Sequence, residues 1–173
     1  RGGNDLALGN PRHECLRKLV IQTGGLSASV LHDVASASLP QLEHLELWLG
    51  DDGYGNDIQI HDIEPLLTSC PFPKLGYLGF CDDCNADETA KLIARVGLPP
   101  TVQVLDLSLG TLSDEGAQAL VESPCLKQLR KIDFHYHFVS AAFVDRLKQL
   151  VPEIDASDVQ KADYWDGQPH RYV

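Results

Sequence analysis

Apolar residues recur along this chain at the spacing L-x-x-L-x-L. The sets are Leu16, Leu19 and Ile21; Leu42, Leu45 and Leu47; Leu75, Leu78 and Phe80; Val102, Leu105 and Leu107; and Leu129, Ile132 and Phe134. Successive side chains of a strand point to opposite faces, so each set describes a short strand with one buried face. A stripe at helical spacing follows each set: Val30, Leu31 and Val34, then Ile63, Leu66 and Leu67, then Ala90, Ile93 and Val96, then Leu112, Ala117, Leu120 and Val121, then Val139, Phe143, Leu147 and Leu150. The sets begin at 16, 42, 75, 102 and 129, giving steps of 26, 33, 27 and 27 residues. One strand and one helix cannot bury such faces alone, whereas stacked copies can. The pattern predicts an α/β solenoid. It would be a horseshoe arc of about five repeats, with a parallel concave sheet and convex helices.

The connections agree with that reading. Gly24 and Gly25 make a turn, Ser27 and Ser113 precede helices as N-caps, and Pro40 stops a helix. Asp62 is the expected N-cap of the second helix, with Pro65 in its first turn. Asn85 and Glu88 have capping-box spacing, and Gly97 ends the third helix. The long second unit holds Gly50 to Asp57, a turn-rich acidic loop. It fails the EF-hand frame, because no bidentate glutamate falls where one is required.

The chain reads as a single domain over 1–173. Residues 1–15 are the remnant of an earlier repeat, 16–156 hold five repeats and an edge strand, and 157–173 form a C-terminal cap or tail. In the tail, Tyr164, Trp165, His170 and Tyr172 could serve as an apolar plug. The start at Arg1, with no polar cap before the first strand, leads to the expectation of further repeats upstream.

Composition narrows the function. A chain of 173 residues can bury a sizeable core. A net charge of −11 argues against nucleic acid or an anionic membrane as partner, and leaves a protein or peptide, a basic one by charge. No apolar run is long enough to span a bilayer. Five cysteines with no framework spacing read as reduced thiols in a cytoplasmic protein. Cys81 and Cys84 form a C-x-x-C, but zinc would need a second such pair.

Outward strand residues should form three columns. They are Lys18, His44, Tyr77, Val104 and Lys131; Val20, Glu46, Gly79, Asp106 and Asp133; and Gln22, Trp48, Cys81, Ser108 and His135. Neighbouring strands lie ~4.8 Å apart, so Asp106 and Asp133 should be close enough to raise one another's pKa. The candidate partner-binding residues are Glu46, Trp48, Tyr77, Asp106, Asp133 and His135, with Trp48 as anchor for a cationic side chain or peptide. His135 and His137, two apart on a strand, could share a face with Asp133 around a metal, but no third convergent ligand is evident. No metal or cofactor is therefore expected. No nucleophile motif, phosphate loop or zinc signature is present, and the expectation is that the chain is not an enzyme.

Leu105-Asp106-Leu107-Ser108, followed by Leu112-Ser113-Asp114-Glu115-Gly116-Ala117-Gln118-Ala119-Leu120, resembles the ribonuclease-inhibitor type of leucine-rich repeat over about residues 16–156. Leu45 to Gly50 and the closing Asp166 to Val173 are similar to a poorly characterised bacterial leucine-rich-repeat family, which implies no activity. The repeat type usually places Asn or Cys just past the strand. Here those positions read Gly24, Gly50, Gly110 and His137, with Cys84 fitting only if one residue is inserted. The expected function is a protein-protein interaction module acting through the concave sheet face. The alternatives are a metal- or small-molecule-binding fragment of a larger enzyme, or a structural array packed on its own upstream domain.

Overall fold

The computed structural model describes residues 6–165 and 168–171. Six strands form one sheet: β1 (Lys18–Ile21), β2 (His44–Gly50), β3 (Tyr77–Asp83), β4 (Val104–Asp106), β5 (Lys131–Asp133) and β6 (Glu153–Asp155). All are parallel and lie in chain order. Among the described residues, five α-helices follow β1 to β5 in turn: α1 (Ala28–Ala35), α2 (Ile60–Thr68), α3 (Ala86–Val96), α4 (Asp114–Glu122) and α5 (Ala141–Lys148). Each helix touches the next. A small antiparallel pair, β7 (Asp163–Trp165) and β8 (Gln168–His170), closes the described chain.

The inward alternates of the strands and the helical stripes make one core. Leu45, Leu47, Leu78, Phe80, Leu105, Ile132 and Phe134 are fully buried and cluster with Leu31, Val34, Ile93, Ala117, Leu120 and Leu147. Each of these side chains larger than alanine contributes roughly 1.5–3 kcal/mol on burial. Of the outward alternates, Lys18, His44, Glu46, Trp48, Tyr77, Lys131 and Asp133 keep some exposure, while Gly79, Cys81, Asp106 and Ser108 are buried. The helices therefore cover one face of the sheet and leave the other open.

The horseshoe solenoid of leucine-rich repeats expected from the spacing is not what the structure presents. It presents an α/β domain with a single six-stranded, all-parallel sheet and five helices, not a curled arc. The reason lies in what the spacing encodes. L-x-x-L-x-L followed by a helical stripe states that a strand buries one face beneath a helix, and any βα unit of a parallel sheet meets that requirement. Curvature depends on the relative spacing of the two layers, which the apolar period does not specify. The strand order also runs without reversal, so the sheet lacks the switch point at which open α/β sheets commonly bind ligands.

Several local expectations change too. The N-cap of α2 is Gln59, with Asp62 completing a capping box as its third residue. Pro65 consequently falls in the second turn of α2. Asn85 precedes α3 but its side chain makes no cap; Asp83 accepts the Asn85 N–H instead, at 2.8 Å. Ser113 caps α4 as expected, accepting from the Glu115 N–H at 3.3 Å. Gly97 ends α3 at φ +88°.

A recurring device closes three successive units. Asp82, Leu109 and Tyr136 each have φ between 54° and 63°. Such a left-handed residue interrupts the two-residue alternation, so the next side chain turns inward. Asp83, Gly110 and His137 are accordingly buried. Asp83 Oδ1 accepts from the N–H two residues on, and so does His137 Nδ1, from Val139 at 2.9 Å. The turn hydrogen bonds are thus met by an aspartate and a histidine. Cys84 is not the residue involved.

Of the tail, Arg171 reaches back to Asp87 at the start of α3, at 3.4 Å. The expected apolar plug of Tyr164, Trp165 and Tyr172 concerns side chains outside the described residues. No helix among the described residues is long and apolar enough to cross a membrane.

Candidate open-face site

The register sets the outward columns as the alternation requires. Lys18, His44, Tyr77, Val104, Lys131 and Glu153 run across the sheet as one row. Val20, Glu46, Gly79, Asp106, Asp133 and Asp155 form the next, and Trp48 lies opposite Cys81 in a third. All six candidate residues project from the open face, in two groups.

The first group spans β2 to β4. The Trp48 indole N–H donates to Glu46 Oε1 at 2.9 Å, and His44 Nε2 donates to Glu46 Oε2 at 3.0 Å. The His44 ring stacks on Tyr77 with centroids 3.7 Å apart and planes 13° from parallel. The Tyr77 hydroxyl donates to Asp106, whose other oxygen accepts the Ser108 N–H at 2.9 Å. A continuous chain of contacts thus fixes Trp48, Glu46, His44, Tyr77 and Asp106. Gly79 sits buried among them. A Cβ there would press on Tyr77 at 3.3 Å and on Glu46 and Cys81 at 3.4 Å.

Electrostatics follow the contacts. Burial acts to raise the Glu46 carboxyl, but hydrogen bonds from Trp48 and His44, with the charges of His44 and Lys18, hold it below the usual range. Burial and the neighbouring Asp106 push the Tyr77 phenol far up, so it remains a donor at any physiological pH.

The second group spans β5 and β6. Asp133 accepts from Lys131 Nζ at 2.9 Å and from His135 Nδ1 at 2.8 Å, and Asp155 accepts from Ser157. Burial works to lower the His135 pKa, but the Asp133 hydrogen bond and the charges of Asp133, Asp106 and Asp155 raise it overall. Ligand atoms of Asp133, His135 and Asp155 lie within 4.8 Å of one another. Asp106 and Asp133 are register neighbours, yet each carboxylate has its own donors, Tyr77 and Ser108 for one and Lys131 and His135 for the other.

His137 does not join them. The left-handed Tyr136 turns it into the core, where Nε2 donates to the Ala156 carbonyl at 3.1 Å and burial holds its pKa down. The third convergent ligand that the sequence did not show is Asp155, on the edge strand β6. His44, which links Glu46 to Tyr77, was legible as an outward column residue.

The other sequence motifs are occupied by the fold. Cys81 lies buried beside Ser108 on the open face, while Cys84 lies by the Asn85 amide at 3.3 Å. Burial pushes both thiols up, that of Cys84 to about 11. In the acidic loop, Asp51 accepts the Gly53 N–H at 2.8 Å and Asp57 accepts the Ala28 N–H at 2.7 Å. These carboxylates serve the backbone.

No family model and no curated protein matches the chain. A crystal structure of a Bacteroides fragilis protein, solved as a structural-genomics target, is similar at 32% identity with a TM-score of 0.81. The match covers 88% of this chain and 44% of that one, so the chain spans less than half of that protein's length.

Proposed function

We propose that the chain is a protein-interaction module that binds a basic protein or peptide segment through the open face of its sheet. The observation that carries this is the part-buried Trp48, fixed by Glu46 and next to a row containing Glu46, Asp106, Asp133 and Asp155. An aromatic anchor flanked by carboxylates suits a lysine or arginine side chain. Because hydrogen bonds already order the face, little side-chain entropy is lost on binding. The free cysteines support a reducing, cytoplasmic setting.

The test is binding of arrayed Lys- and Arg-rich peptides to the intact chain and to Trp48→Ala. The variant is expected to keep its circular dichroism spectrum and to lose about tenfold or more in affinity. Equal binding by a folded Trp48→Ala chain would rule out this surface.

The convergence of Asp133, His135 and Asp155 favours a second reading, a site for a divalent transition cation. Lys131 competes for the same carboxylate. Stoichiometric zinc binding that disappears in His135→Ala would support it, and a flat titration would remove it.

A further inference from the structure

The sequence singles out one feature that the open face does not use, the 33-residue step of the second unit. Its extra residues lie between β2 and α2 and wall a cavity of about 260 Å³ at the C-terminal ends of β2 and β3. Leu49, Ile58 and Ile63, all buried, line it together with the buried Asp83 and Thr89. The rim is polar, with Asn56, Gln59, Asn85 and Glu88, and carries Ile60 at 37% exposure. A buried carboxyl beside an apolar lining is the arrangement that small-molecule sites use: a greasy wall for the body and a few polar groups for orientation.

We infer that this cavity binds a small aliphatic amine, with its ammonium group at Asp83 and its alkyl chain on Leu49, Ile58 and Ile63. Two observations select the ligand. At roughly 30 Å³ per small group, the volume takes about eight non-hydrogen atoms. Asp83 and Glu88 line the cavity and no lysine or arginine does; Glu88 also pairs with Lys91 Nζ at 2.7 Å, so Asp83 is the carboxyl by which the site suits a cation and disfavours an anion. Asp83 Oδ1 accepts from the Asn85 N–H and Oδ2 from Thr89 Oγ, one bond each, so both oxygens retain acceptor capacity for an incoming ammonium. Asp82 and Asp87 add negative charge nearby. The site is separate from the open face, and the two readings stand or fall independently.

The experiment is an NMR titration of the intact chain with hexylammonium, and with 1-hexanol and hexanoate as neutral and anionic matches. Hexylammonium should shift the amide signals of Asp83, Asn85 and Thr89 and bind more tightly than either match. Asp83→Asn should weaken it about tenfold, the scale of a lost charged hydrogen bond. Ile60→Trp, placed at the exposed rim, should block entry without disturbing the fold and decides the matter if Asp83→Asn does not fold. No shifts at these residues, equal binding of hexanoate, or unchanged binding in a folded Ile60→Trp chain would overturn the inference.

Discussion

Asp87 at the start of α3 accepts the backbone N–H of Ser113, 26 residues further on, at 2.8 Å. The same carboxylate accepts from Ser113 Oγ at 2.6 Å and from the Gly116 N–H at 3.0 Å, and it pairs with Arg171. One side chain therefore takes two backbone N–H groups at the start of the neighbouring helix and holds its cap, Ser113. Asp87→Ala would leave two part-buried N–H groups without this partner and should cost about 2–3 kcal/mol, while Asp87→Asn should cost less. Urea unfolding of the three chains measures this. A loss within ~0.5 kcal/mol, the scale of an ordinary surface substitution, would contradict it.

Gly50 ends β2 at φ +74°, and a Cβ there would collide with the Gly24 carbonyl. The approach of two backbones leaves no side chain to move aside. Gly50→Ala should be severely destabilising, by about 4 kcal/mol or more. Gly97, also at positive φ but with open space around it, is the control. Gly97→Ala should lose about 1–3 kcal/mol from conformational strain alone. Thermal melts of both variants separate collision from strain.

Asp83 gives the stability a pH dependence. Burial raises its pKa from 3.8 to about 6, against hydrogen bonds from Thr89 and Asn85 that lower it, with Asp87 and Asp82 adding repulsion. A carboxyl raised in the folded state binds its proton more tightly there than in the unfolded chain. Its contribution is full below about pH 4 and is lost as pH rises through about 6. The amplitude is about 3 kcal/mol. The difference in unfolding free energy between the native chain and Asp83→Asn should therefore change across pH 4 to 6 and level off above. A flat difference would show that Asp83 titrates normally.

Thiol reactivity should be selective. Cys15 is exposed, whereas burial raises the pKa of Cys70, Cys81, Cys84 and Cys125. Thiolates are the reactive form, so Cys15 should react with a disulfide reagent well before the other four in the folded chain. Cys15→Ser should abolish the fast phase. A second fast thiol would point to local opening around Cys84.

The apolar spacing made the strands legible because each buried face repeats every second residue, and Leu45, Leu78, Leu105 and Ile132 fall in register as that period requires. The outward columns followed from the same period, and so did the six open-face candidates. What was hidden had two causes. A left-handed residue at Asp82, Leu109 or Tyr136 has no strong sequence mark, since such positions favour Gly or Asn. His137 was therefore read onto the open face, and Asp83 was not singled out at all. Part of the helix capping was hidden because its acceptors come from other units: Asp57 for Ala28, Asp87 for Ser113 and Asp114 for Ser140. A local motif scan cannot see a partner that far along the chain. Curvature was never encoded in the period.

The order of the strands also bears on how the chain folds. Lys18 pairs with His44, His44 with Tyr77 and Val104 with Lys131, separations of 26, 33 and 27 residues. Every strand waits only for the one made just before it. Loop-closure entropy grows slowly with length, so even the long second unit costs about 0.2 kcal/mol more to close than its neighbours. The sheet can grow by one closure at a time from any unit, and no step requires the two ends of the chain to find each other.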